Sequence, residues 1–288
     1  MRSMSTTVSG DDRPVLLMGA SGRLGGMLRR HWSDPRLLRP VSRGGGPGMI
    51  RCDPLSMPDA LVRAAEGCRA VICLSGVTPA HAAASGDAMA LNTDLALAAL
   101  RAAPAGARVF VASTAAVYGR SGGFLSEDAP TAPVSDYGRA KVEMESRFLA
   151  EAGGRGCILR IGNVAGADAI LGNWAPGMQI DSFADGSTPT RSYIGPVSLA
   201  RVLETLTRAE ALPAILNIAA PEPVQMGALL DAADLAWTPR TPDENVIAEV
   251  VLDTTRLQRL YDFSADETTP AGLVAQARRD TDKGSSRT

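Results

Sequence analysis

The sequence predicts an α/β protein organised on a doubly wound parallel sheet. Three observations carry this: short apolar runs without polar alternation, helical stretches between them, and a glycine cluster directly after the first run. A strand that is apolar on both faces must be covered on both, and the intervening helices supply the cover.

Taken in order, residues 1–13 are polar and expected to be a disordered leader. Residues 15–18 form the first buried strand, which ends in Gly19-Ala-Ser-Gly22-Arg-Leu-Gly25, a tight turn opening a helix. A second strand is expected at 37–42, with Pro40 as an awkward member because it has no ladder donor. Helices over 58–66, 87–103 and 136–152 alternate with strands at 70–74, 109–112 and 157–161. Gly, Pro, Asp and Ser then interrupt the pattern from 165 to 189, before a helix at 197–209 and a strand at 215–218. The expected organisation is a dinucleotide-binding domain over 14–165 with a core strand returning near 214–218. A small substrate-binding region over 166–277 and a frayed polar tail over 278–288 follow.

Composition narrows the function. With 29 Lys plus Arg against 31 Asp plus Glu, the chain has no basic excess for a nucleic-acid backbone, so nucleic acid is not expected as a partner. Cys52, Cys68, Cys73 and Cys157 form no CxxC pair, and His31 and His81 are the only histidines, so no metal site is expected. Neither a signal-peptide core nor an apolar run long enough to span a bilayer is present, which predicts a cytoplasmic protein away from membranes. Cys73 and Cys157 read as core residues, His31 and His81 as surface or loop residues, and Trp174 as a candidate for the wall of a substrate cleft.

Three motifs carry chemistry. In the first turn, Gly19, Ser21, Gly22, Arg23, Leu24 and Gly25 would let the backbone and a helix N-terminus approach a pyrophosphate. Tyr137-Gly-Arg-Ala-Lys141 places a phenol and an ammonium on one helix face. A cation there would lower the phenol from its usual ~10 toward neutrality, as an acid/base requires. Ser113 and Thr114 close a strand at the sheet edge where ligands bind in such folds.

Together these motifs resemble the extended short-chain dehydrogenase/reductase family of NAD-dependent epimerases and dehydratases, from Val15 to about Phe263. The resemblance implies a Rossmann-type sheet, with Tyr137 as acid/base and Lys141 holding the nicotinamide ribose. It makes Thr114 the group that orients the reacting oxygen, and Ser113 its alternative and a cofactor neighbour. It further implies Asp53 at the adenine, Leu74, Ser75 and Gly76 along the cofactor cleft, and Asn92 of Leu91-Asn-Thr-Asp94 close by; Asn92 also reads as a helix cap or a solvated surface amide. Asn163 of Leu159-Arg-Ile-Gly-Asn163 and Arg191 of Arg191-Ser-Tyr-Ile194 would meet substrate, the arginine at a phosphate; it reads equally as an ordinary surface arginine. Asp253-Thr-Thr-Arg-Leu257 and Leu260-Tyr-Asp-Phe263 resemble the family's terminal signature.

Departures from the pattern shape the expectation. Gly195-Pro-Val-Ser198 stands where the family carries HVDD, Asp136 replaces a proline before Tyr137, and the distal region is short. About 18 positions past Gly25, where a carboxylate would select NAD, stands Arg43, so NADP is favoured over NAD. Ala115 and Ala116 occupy the positions where a 4,6-dehydratase would carry Asp and Glu. The reading is a carbonyl/alcohol oxidoreductase acting on a small molecule, by resemblance a nucleotide sugar, with hydride transfer to or from nicotinamide. A nucleotide-sugar epimerase with retained NAD and a non-catalytic NADP-sensing scaffold are the alternatives. A homodimer through the helices at 87–103 and 136–152 is the expected assembly.

Overall fold

The structure, a computed structural model, describes residues 12–244 and 246–285, so most of the expected leader lies outside the described residues. The first half of the chain alternates strand and helix: β1 Val15–Met18, α1 Arg23–His31, β2 Leu38–Ser42, β3 Ile50–Arg51, α2 Pro58–Ala65 and β4 Ala70–Cys73. It continues with α3 Pro79–Ser85, α4 Leu91–Ala102, β5 Arg108–Thr114, β6 Phe124–Leu125, α5 Asp136–Ala152, β7 Gly156–Ile161 and β8 Asn163–Val164. The second half adds β9 Gln179–Asp181, β10 Thr190–Ile194, α6 Pro196–Leu206, β11 Ile215–Ile218, β12 Pro223–Gln225 and α7 Met226–Ala232. It closes with β13 Thr238–Arg240, β14 Glu249–Leu252, α8 Thr255–Gln258 and α9 Pro270–Ser285.

Seven strands form one parallel sheet in the order β11-β7-β5-β4-β1-β2-β3. The order reverses between β1 and β4, which opens a crevice at their C-terminal ends. Side chains of β1 alternate between two cores. Val15 and Leu17 join Leu28 of α1 and Leu199 and Leu203 of α6, whereas Leu16 and Met18 join Leu61 of α2, Leu100 of α4 and Phe148 of α5. Each such fully buried side chain contributes roughly 1.5–3 kcal/mol, so both helical layers are held by the sheet they cover.

Pro40 fits β2 because of where its nitrogen points. Val41 O accepts from Ala20 N toward β1, and Ser42 O accepts from Cys52 N toward β3. Pro40 therefore turns its donorless nitrogen to the β3 side, one residue before the pairing with β3 begins at Val41.

A smaller sheet, β12-β10-β14-β6 with β8 beside β10, stands at the C-terminal end of the large one, and β9 pairs with β13. Its cover includes α9, and here the expected frayed tail is corrected as far as Ser285, the rest lying outside the described residues: residues 270–285 are helical. Leu273 and Val274 are buried against Tyr193, Val224 and Leu229, and Asp280 anchors the far end. Asp280 accepts from Arg30 Nε at 2.7 Å and lies 3.0 Å from His31 Nε2. Polar composition concealed this because the buried residues occupy only one face of the helix. The same contact corrects His31, the last residue of α1, whose side chain is only 2% exposed.

Candidate functional site

The glycine turn is built for close approach. Gly19 has φ +80°, and a Cβ on it would lie 2.7 Å from Ser75 N and 2.8 Å from Leu74 C. A Cβ on Gly25 would collide with Gly19 O. Only glycine lets the end of β1 sit against the end of β4 while α1 starts immediately behind. The first turn of α1 carries no acidic side chain and Gly22 gives it no side-chain cap, so its amides are left to a phosphate.

Below the turn lies a cleft of about 380 Å³. It brings together eight of the expected cofactor residues: Gly19, Ser21, Gly22, Arg43, Asp53, Leu74, Ser75 and Gly76. The turn that only a Cβ-free backbone can make, opening on a cleft at the sheet's reversal point, fits a dinucleotide. Other expected residues stand elsewhere. Arg23 donates to Ala167 O at 2.8 Å, Leu24 packs on the core, and Gly25 serves helix packing. Asp53 turns one carboxylate oxygen to its own loop, accepting from Leu55 N at 3.0 Å.

Asn92 is not a surface amide but lies directly behind Gly76 of the cleft, where a Cβ would meet its Oδ1 at 2.7 Å. It is 1% exposed, accepts from Val77 N at 3.2 Å and donates to Val77 O at 3.1 Å and Met89 O at 2.9 Å. Its role is to hold the loop that follows β4. His81 is a surface residue on α3, with 40% of its side chain exposed and Nε2 2.9 Å from Asp87 Oδ2.

Tyr137 and Lys141 stand at the start of α5, whose N-cap Ser135 accepts from Gly138 N at 3.1 Å. The Lys141 ammonium donates to Ala112 O at 2.8 Å and sits 5.9 Å from the centre of the Tyr137 ring. A Cβ on Gly76 would lie 3.3 Å from it, so the ammonium abuts the wall of the cleft. Burial lowers Lys141 to about 8. Burial also raises Tyr137 above its ordinary value, which corrects the expectation of a phenol brought toward neutrality. The ammonium is directed to a strand carbonyl rather than to the phenol oxygen, so desolvation decides.

Thr114 ends β5, half-buried, and its Oγ1 accepts from Ala116 N at 3.2 Å. Ser113 faces the opposite side of the sheet, because successive strand residues do. Its hydroxyl donates to Glu145 Oε1 at 2.5 Å, and Ser113 is not among the residues that line the cleft.

That bond exposes residues the sequence reading missed. Glu145, one helical turn past Lys141, is buried and forms an ion pair with Arg160 of β7 at 2.7 Å. Arg160 also donates to Tyr118 OH at 3.0 Å, and Tyr118 OH donates to Asn217 Oδ1 of β11 at 2.8 Å. The network fixes α5, which carries Tyr137 and Lys141, to three neighbouring strands. Arg160, a charged residue inside the otherwise apolar β7, was the available signal.

On the distal side, Asn163 of β8 pairs in register with Tyr193 of β10. Arg191 donates to Ile247 O at 2.7 Å, Thr190 O at 2.8 Å and Ala248 O at 3.2 Å. It has no carboxylate partner among the described residues, and burial lowers its pKa. The Gly195–Ser198 departure has a packing reason. Gln276 of α9 fills the space a Cβ on Gly195 would take, and its Oε1 accepts from Ser198 N at 2.9 Å. Ser198 Oγ donates to Glu267 at 2.7 Å. Trp174 donates to Ala236 O at 3.0 Å. Among the described residues no group of His, Cys, Asp or Glu could hold a metal ion, and no helix is long and apolar enough to cross a membrane.

A doubly wound sheet with a glycine turn at its crevice defines the class of dinucleotide-binding α/β folds, and here a Tyr/Lys pair stands beside that crevice. Residues 15–184 match the NAD dependent epimerase/dehydratase family, and the chain belongs to that family. A UDP-glucose 4-epimerase of Azospirillum brasilense is 47% identical over 66 residues, a match that spans 21% of this chain and 19% of that protein. Among solved structures, the UDP-glucose 4-epimerase of Bifidobacterium longum with NAD+ and UDP superposes with a TM-score of 0.73 at 16% identity, covering 94% of this chain and 99% of that one. MoeE5 with UDP-glucose and NAD gives 0.71 at 22% identity, over 94% and 99%. At these identities the structural likeness concerns the fold.

Proposed function

We propose that this chain is an NAD(P)-dependent oxidoreductase acting at a carbonyl/alcohol carbon of a small molecule, a nucleotide sugar being the substrate class. The observation that carries the proposal is Lys141, buried one turn from Tyr137 and against Gly76 of the cleft. Bound in the cleft, a nicotinamide would supply or accept the hydride. The protein's own part is proton transfer and positioning. Burial keeps the Tyr137 phenol protonated near neutral pH, ready to donate to an oxygen that gains charge as its carbon is reduced. Lys141, charged below about 8, supports that developing charge, and Thr114 orients the oxygen.

Arg43 at the cleft and the lack of a carboxylate at the end of β2 support NADP as the favoured cofactor. The short identity with a UDP-glucose 4-epimerase favours a second reading, an epimerase that retains NAD. Asn163 and Arg191 are the substrate residues in either reading. Four buried free thiols support a reducing, cytoplasmic setting, and the homodimer through α4 and α5 rests on the family resemblance.

Replacing Tyr137 by Phe tests the proposal. Turnover of ketones or keto-sugars should fall by about 10²–10⁴-fold, while fluorescence titration with NADPH and NADH shows affinity retained. Full turnover in the variant would refute the role. Nucleotide released on denaturation separates the two readings: NAD held through purification means an epimerase, a readily exchanged NADPH a reductase.

A further inference from the structure

In the cleft, Arg43 belongs to a cluster whose other two members, His81 and Asp87, have no part in the reading above. Arg43 enters from the end of β2, and His81 and Asp87 enter from the connection between β4 and α4. Asp87 Oδ2 lies 2.9 Å from His81 Nε2 and 3.8 Å from an Arg43 guanidinium nitrogen. The segment carrying the last two is bonded to itself. Thr78 Oγ1 caps α3 by accepting from His81 N at 3.2 Å, Ser85 Oγ donates to His81 O at 2.9 Å, and Asp87 N donates to Ser85 Oγ at 3.2 Å. Gly86, at φ +74°, then turns the chain so that Asp87 faces back to His81. Two cationic or proton-donating groups thus converge on one carboxylate within the cleft that holds the phosphate turn.

We propose that His81 completes the 2′-phosphate seat already read at Arg43 and that Asp87 occupies this seat as an internal counter-ion, setting how strongly the chain prefers NADP to NAD. The proposal rests on the reading of the cleft as a dinucleotide site. A phosphate monoester carries about −1.5 to −2 charge at neutral pH and takes the same partners as a carboxylate. It must therefore displace Asp87 from His81 and Arg43, and it gains their full charge only when Asp87 has moved. A cofactor with a 2′-hydroxyl makes no such demand. The hydrogen bond from His81 holds the Asp87 carboxyl below its usual value, so the competing charge is present at neutral pH.

The test is fluorescence titration of the full chain with NADPH and NADH for wild type, Asp87→Asn, Arg43→Ala, His81→Ala and the Arg43→Ala/Asp87→Asn double variant. Asp87→Asn should tighten NADPH about tenfold and leave NADH within about twofold. Arg43→Ala and His81→Ala should weaken NADPH alone, and the gain from Asp87→Asn should vanish in the double variant. Retained NADH affinity reports that each variant is folded. If both nucleotides bind but the NADPH-to-NADH ratio is the same in every protein, the cluster is not the 2′-phosphate seat. If wild type binds neither nucleotide, the reading of the cleft falls as well. A wild type that prefers NADH while Asp87→Asn gains NADPH supports the seat and overturns only the NADP preference.

Discussion

Lys141 shows what burial does to a single charge. Removed from water, its ammonium titrates near 8, below the ordinary lysine value. Cys73 on β4 and Glu145 on its own helix draw the value upward, and desolvation outweighs both. The folded state thus binds fewer protons than the unfolded state between about 8 and about 10.4, so this residue makes stability rise with pH in that window. Activity runs the other way, because the charged form is the useful one. The free-enzyme profile of kcat/KM should fall above about pH 8, and residual activity of Lys141→Arg should lack that limb. A wild-type profile flat to pH 10 would separate Lys141 from the chemistry.

At the scale of elements, one carboxylate, Asp280, ties α9, which covers the small sheet, to α1, which covers the large one. Burial alone would raise Asp280, yet the hydrogen bonds from His31 and Arg30 hold it below its usual value. A carboxyl lowered on folding stabilises above its unfolded value, near 3.9, and that contribution is lost as pH falls through the lower folded value. Asp280→Ala should cost about 2–3 kcal/mol at neutral pH, read as a lower denaturation midpoint, and the deficit should shrink toward pH 3. A deficit independent of pH would place the effect in packing instead. This helix also marks the limit of what the sequence discloses. β1, β4 and β5 announced themselves because four or more consecutive apolar residues need no partner to be recognised, β7 and β11 keep an apolar majority around one polar position, β2 keeps Leu38 and Val41 around Arg39 and Pro40, and α5 has the bounds its pattern implies. Two-residue strands such as β3, β6 and β8 are too short to show any period. Ser113 and Thr114 are adjacent and must face opposite sides, but only the packing of α5 tells which side each takes. Glu145 and Arg160 lie on separate elements, and nothing local connects them. Tyr137, Lys141 and the glycine turn were legible because their spacing within one element is itself the geometry.

For the whole molecule, the buried thiols give a global probe. Burial raises Cys73 to about 11 and Cys157 to about 12, and Cys52 and Cys68 are raised as well. A thiolate is the reactive species, so labelling of the native protein should be slow and should proceed through opening, with all four reacting at once in denaturant. Fast stoichiometric labelling of one cysteine under native conditions would show a local opening at that strand or loop.

The strand order carries a consequence for how the chain is made. β11, at the edge of the large sheet, comes from beyond β10, which belongs to the small one. On a ribosome working from the amino end, β7 stays a bare edge, its outward amides unpaired, until Ile215–Ile218 leaves the tunnel. Translation pauses or breaks before that point would release a nascent chain with a sticky flank, and quality control would meet this protein there.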